Sequence, residues 1–174
     1  NGTTGNVGIG VVEPTAGSVL HIAKSSDNTE FVMQTGSATA GDDGEIEFWR
    51  SRGSVGSPSA PASGDSIGTI LFKPYSTDFA SAAEIKAEVD GTLGSNDKPG
   101  RLVFSTTADG TETLSERMRI TNAGLVGIGT TPNFTLEVLG TASSSLLYVG
   151  GDNMTATTTQ IYGGFIADVD SSTL

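Results

Sequence analysis

The segment Glu116-Arg117-Met118-Arg119-Ile120-Thr121-Asn122-Ala123-Gly124-Leu125-Val126-Gly127-Ile128-Gly129-Thr130-Thr131-Pro132 decides how the rest of the chain is read. Its alternation places Met118 and Ile120 on one face of an extended strand and Arg117 and Arg119 on the other. Asn122-Ala123-Gly124 supplies turn residues, and Val126 to Gly129 reads as a second strand. A shorter version, Asn6-Val7-Gly8-Ile9-Gly10, stands near the beginning and is followed by Pro14. A strand-turn-strand that recurs in part announces an architecture rather than a chemistry.

Composition agrees. Hydrophobic residues other than Gly make up 36% of the 174 residues, and a further 24 are Gly, about twice ordinary usage. Much of the nominally apolar content therefore has no side chain to bury. A core built from one such chain would be thin, which favours strands from several copies completing one another's apolar layers.

The net charge of −11 and a pI near 4.2 argue against nucleic acid as a partner, because phosphate-binding surfaces need clustered Lys and Arg. All nine cations lie between Lys24 and Arg119. After Arg119 the only charged residues are Glu137, Asp152, Asp168 and Asp170. There is no Cys, which rules out disulfides and thiolate metal sites. No apolar run approaches the ~20 residues of a membrane-spanning helix.

Along the chain, helix periodicity is scarce and short alternating segments recur. Val7 to Val12, Val19 to Ile22, Phe31 to Met33, Glu45 to Arg50, Ile67 to Phe72, Leu102 to Phe104, Phe134 to Leu139, Leu146 to Val149 and Gln160 to Val169 all read as strands. Ala83 to Val89 has helix-forming composition. Its strict alternation of Ile85, Ala87 and Val89 against Glu84, Lys86 and Glu88 instead predicts a half-solvated strand. Ile67 to Phe72 is apolar on both faces, as is Leu102 to Phe104, which predicts strands covered on both sides, either centrally in a sandwich or between protomers. Ser51 to Ser66, with Pro58, Pro61 and repeated Gly and Ser, reads as a long loop. The expected fold is all-β, about ten short strands in a sandwich-like or intertwined module with long polar loops, completed by self-association.

The residues for enzyme chemistry are sparse. The single His, His21, sits between Leu20 and Ile22 in a short strand and can build neither a triad nor a metal cluster. Glu45 and Glu47 would lie about 7 Å apart on one face of a strand, a spacing open to glycoside hydrolysis. Exposed Glu opposite inward Ile46 and Phe48 is also the ordinary strand pattern. Asp42-Asp43 and Asp168-Val169-Asp170 lack the spacing of a calcium loop. No catalytic, cofactor or metal residue is therefore assigned. Trp49, Tyr75 and Phe79, with their flanking loops, are the candidates for a shallow glycan-contact platform.

Alternate Gly in Val7-Gly8-Ile9-Gly10 and Val126-Gly127-Ile128-Gly129 strips one face of the strand, so that another backbone can approach closely. The apolar positions expected to bury against neighbouring copies are Val7, Ile9 and Val11, Val126 and Ile128, and Ile161, Phe165 and Val169. The terminal strands that carry most of them could add to a neighbour's sheet and build a head-to-tail filament.

From Asp43 to Gly140 the chain resembles phage tail fibres and related bacterial surface fibre proteins. The resemblance rests on Glu45-Ile46-Glu47-Phe48, Arg50-Ser51-Arg52-Gly53, Gly64-Asp65-Ser66-Ile67-Gly68, Asp90-Gly91-Thr92, Asp97 to Thr107, Glu116 to Ile120, Val126 to Pro132 and Leu136 to Gly140, in that order. It implies an elongated, β-rich, usually homotrimeric shaft or head module on a virion or bacterial cell surface. Many such fibres end in an intramolecular chaperone domain, and no such pattern follows Gly140; the tail looks more like bacterial repeat-rich surface proteins. The expected organisation is an N-terminal strand arm over 1–24, a β-rich fibre module over 25–140 and a C-terminal strand arm over 141–174. The expected function is a non-enzymatic structural subunit of an extracellular fibre or filament, with a receptor- or glycan-binding adhesin module as the alternative.

Overall fold

A computed structural model describes residues 7–10, 15, 18–25 and 27–140. Those residues form ten strands and no helix: β1 Val7–Ile9, β2 Leu20–Ile22, β3 Arg52–Ser54, β4 Ser57–Ser59, β5 Ser66–Phe72, β6 Ala83–Val89, β7 Gly100–Thr107, β8 Leu114–Ile120, β9 Val126–Ile128 and β10 Leu136–Val138. The fold is all-β.

The strands make three sheets: a parallel pair β1-β2, an antiparallel hairpin β3-β4, and a six-stranded sheet in the order β10-β9-β8-β7-β6-β5. From β5 to β9 each strand pairs antiparallel with its sequence neighbour, a meander that short turns can close. The turn read at Asn122 to Gly124 joins β8 to β9 and is held by Gly124 N–H donating to the Thr121 carbonyl at 3.0 Å and Thr121 N–H donating to the Leu125 carbonyl at 3.0 Å. β10 then pairs parallel with β9. The connection permits this because Gly127 has no side chain: a Cβ there would strike the Thr130 carbonyl oxygen and lie 2.7 Å from Pro132 Cδ. The close backbone approach expected at this Gly-x-Gly is real, and the approaching backbone is the chain's own.

Four expectations need correction. Phe31 to Met33 and Glu45 to Arg50 form no strand, since alternation alone does not make a ladder when no partner strand runs alongside. The Ser51 to Ser66 loop contains the β3-β4 hairpin, with Arg52 opposite Ser59 and Ser54 opposite Ser57. β5, expected to be covered on both sides either centrally in a sandwich or between protomers, is not central: among the described residues it is the edge strand of the six-stranded sheet. Its Ile70, Leu71 and Phe72 are all substantially exposed.

Candidate self-association surface

The six-stranded sheet sorts its residues by face. One cross-strand row reads Ile70, Ile85, Phe104, Met118, Ile128, Val138, from β5 through to β10. Two residues along each strand, on the same face, a second row reads Gly68, Ala87, Leu102, Ile120, Val126, Leu136. No position in either row is polar. At about 4.8 Å between strands the rows run roughly 24 Å across the sheet.

Little lies over this apolar face among the described residues. Among the described residues only two large apolar side chains are buried, Val89 at 1% exposure and Val103 at 4%. Ile70 is 48% exposed and Leu136 62%. Phe48 reaches the face: its ring lies against Gly68, where an added Cβ would sit 2.5 Å from Phe48 Cγ. Phe48 and Trp49, with Ile67, Val89, Pro61 and Leu93, line a groove of about 630 Å³ at that end of the sheet.

The opposite face is charged and paired. Its central row is Thr69, Lys86, Val103, Arg119, Gly127, Glu137. Val103 lies between Lys86 and Arg119 in that row, where their aliphatic stems shield it. Lys86 Nζ contacts Glu84 at 3.2 Å and Glu88 at 3.0 Å, and Arg101 bridges Glu88 at 2.7 Å and Asp90 at 2.9 Å. Arg119 grips Glu116. Burial works against the Glu88 carboxylate, but the hydrogen bonds from Lys86 and Arg101 outweigh it and hold Glu88 below its usual pKa. The hydrogen bond that Lys86 donates to Glu88 raises the pKa of Lys86. These half-buried pairs satisfy one another, and among the described residues no buried polar side-chain atom lacks a partner. Arg117 departs from the expected alternation: the β7-β8 register skips it at a bulge, and its Nε donates to Thr106 Oγ1 at 2.9 Å.

Of the residues expected to self-associate, Val126 and Ile128 lie on the apolar face of the large sheet, beside Ile120 and Met118. Val7 and Ile9 lie in β1, each about half exposed. Val11, Ile161, Phe165 and Val169 lie outside the described residues. The large share of the face carried by Ile70, Ile85, Leu102, Phe104 and Leu136 was missed in choosing those positions. Each strand's alternation was visible, but the register that aligns one strand with the next was not.

The aromatic residues separate into two places. Tyr75 and Phe79 face each other in the β5-β6 connection, with ring centroids 5.2 Å apart. Trp49, 89% exposed, is at the groove by the start of β5, roughly 20 Å away along that strand. Its Nε1 donates to Glu47 Oε2 at 2.5 Å, and Glu45 and Glu47 do not share a strand face. His21 Nδ1 accepts from the Thr15 backbone N–H at 3.1 Å. Among the described residues no cluster of three metal-ligating side chains is present, and no helix is long and apolar enough to cross a membrane.

Among the described residues these features define an all-β module with one largely uncovered apolar face and one ion-paired face. The fold is shared with solved structures that include a phage tail-fibre domain. The carboxy-terminal domain of the bacteriophage T5 L-shaped tail fibre matches with a TM-score of 0.59 at 17% identity, over 80% of this chain and 51% of that one. The same domain with its intra-molecular chaperone domain matches with a TM-score of 0.60 at 14% identity, over 87% of this chain and 39% of that one. The chain thus spans about half of the first structure and two fifths of the second. No family model matches the chain, and no curated protein resembles it in sequence.

Proposed function

We propose that this chain is a non-enzymatic structural subunit of an extracellular fibre or filament on a virion or bacterial cell surface, of the kind suggested by the Glu-Arg-Met-Arg-Ile-Thr and Val-Gly-Ile-Gly-Thr-Thr-x-Pro segments. It assembles by packing the apolar face of the six-stranded sheet against further copies of itself. The observation that carries this reading is the uninterrupted apolar row from Ile70 to Val138, over which little lies among the described residues. Burying a large aliphatic side chain contributes about 1.5–3 kcal/mol, whereas ordering each backbone residue costs about 1–2 kcal/mol. Among the described residues the only large apolar side chains buried are two valines, a small part of what ordering a six-stranded sheet requires, and the apolar face is where more burial is available. Similarity of fold to a tail-fibre domain supports the same reading.

The test is the state of assembly. Light scattering and electron micrographs of the wild-type chain should give a fixed oligomer or filaments. Ile70→Asp and Ile128→Asp, at positions already open to solvent in one chain, should shift it to smaller species. A stable, compact monomer at all concentrations would remove the proposal.

A second reading, a glycan-contact module, is favoured by the exposed Trp49 beside the groove that Arg50 and Lys98 also line. A planar apolar ring flanked by polar side chains suits a sugar face. Saturable glycan binding abolished by Trp49→Ala, with assembly unchanged, would establish it.

A further inference from the structure

The pair β1-β2 repeats the pair β9-β10 bond for bond. Val7 N–H donates to the Val19 carbonyl at 2.7 Å, as Val126 N–H does to the Thr135 carbonyl at 2.8 Å. Ala23 N–H donates to the Ile9 carbonyl at 2.9 Å, as Leu139 N–H does to the Ile128 carbonyl at 2.9 Å. The parallel registers correspond, Gly8 opposite His21 and Gly127 opposite Glu137. Gly10 and Gly129 share a left-handed backbone, φ 73° and 72°, and a side chain on either would press on the carbonyl of Ala23 or Leu139 respectively.

The pairs differ at the outer edge of the first strand. In β9 the backbone groups of Val126 and Ile128 face β10, so those of Gly127 and Gly129 face the other way. There they meet β8: Arg119 pairs with Gly127, and Gly129 N–H donates to the Arg117 carbonyl at 2.9 Å. By the same alternation Gly8 and Gly10 direct their backbone groups away from β2. Among the described residues no strand lies on that edge, and Val7 and Ile9 are exposed.

We propose that the outer edge of β1 is a docking site for one antiparallel strand of another polypeptide with the alternation of β8, Met or Ile on one face and Arg on the other. The edge of matching geometry in β9 carries such a strand, and that defines the register: a Met opposite Ile9, an Arg opposite Gly8 and an Ile opposite Val7. No Lys or Arg precedes Lys24, so an arginine-bearing strand meets no like charge there. Within residues 1–174 the one Arg-Met-Arg-Ile segment is β8 itself, which is already held between β7 and β9. Main-chain hydrogen bonds supply the affinity and the alternate side chains the selectivity. The proposal rests on β1 alone and stands or falls separately from the packing of the large sheet.

The probe is a fluorescent synthetic peptide with the sequence of residues 112–121, titrated with the full chain. Saturable one-to-one binding is expected, with at least a tenfold loss for Gly8→Pro, which removes an edge N–H while leaving the bonds to β2 in place. To separate this from misfolding, the peptide is N-methylated at one residue. Methylation at Arg119, whose N–H would face Gly8, should cost at least tenfold, and methylation at Met118, whose N–H faces away, should cost little. Absence of binding, equal binding to Gly8→Pro, or equal loss for the two methylated peptides would overturn the proposal. So would a chain that ignores the peptide but forms dimers lost on Gly8→Pro, since a second copy would then own the edge.

Discussion

Asp90 and Asn122 clasp two turns of the sheet together. Asp90 Oδ2 accepts the Asn122 backbone N–H at 2.9 Å, and Asn122 Nδ2 donates to the Asp90 carbonyl at 2.7 Å. The other carboxylate oxygen of Asp90 takes Arg101 Nη1 at 2.9 Å. A residue at the end of β6 thereby fixes the turn that leads from β8 into β9.

Asn122→Ala removes the side-chain half of this clasp and should destabilise the fold by about 1–2 kcal/mol. Asn122→Asp should cost more, because it replaces the donor with a carboxylate facing Asp90. Urea denaturation at one fixed protein concentration checks both, the fixed concentration being needed because assembly shifts apparent stability.

Gly127→Ala should detach the β9-β10 end of the sheet, since its Cβ would overlap the Thr130 carbonyl and crowd Pro132. Backbone overlap is not relieved by a rotamer change. Amide hydrogen exchange should accelerate at Val126, Gly129 and Leu139, whose N–H groups hold that end, while amides in β6 and β7 stay protected. Unchanged protection at Val126 would show that the loop simply moves aside.

Asp65 should titrate far below an ordinary aspartate. The Arg52 guanidinium, bonded at 2.6 and 2.8 Å, followed by the Ala62 backbone N–H, lowers its pKa from 3.8 to about 2. Because the folded-state pKa is depressed, the stabilising contribution is complete above pH 3.8 and is lost as pH falls from there through about 2. A carboxyl carbon NMR titration should place the midpoint near 2 in the wild type. In Arg52→Ala it should return toward 3.8, and an unmoved midpoint would assign the shift to the backbone donor instead.

Gly68→Val should expel the Phe48 ring from the sheet, since the first added carbon already falls within 3 Å of three ring and stem atoms. Limited proteolysis between residues 44 and 51 should then quicken, with little change in the β5-β6 register because β-branched residues suit strands.

Much of the fold was legible in the sequence. Ala83 to Val89 read correctly as a strand against its helix-forming composition, because Ile85, Ala87 and Val89 recur with period two and that period is a local property. The turn at Asn122 to Gly124 and the recurrence of Val-Gly-Ile-Gly were equally local. Glu45 to Arg50 shows the limit. Ile46 and Phe48 alternate as well as any strand in the chain, yet the segment forms none, because a strand exists only where another backbone accepts its hydrogen bonds.

The candidate surface divides along the same line. The sequence determined which residues are apolar, where strands and turns fall, and that one glycine-relieved motif occurs twice. Only the tertiary structure decided that Ile70, Ile85, Phe104, Met118, Ile128 and Val138, drawn from six separate strands, fall into one row. It also decided that Lys86, Glu88 and Arg101 neutralise one another on the opposite face. Register is a relation between strands, set by turns, bulges and paired backbones together, and no single segment contains it.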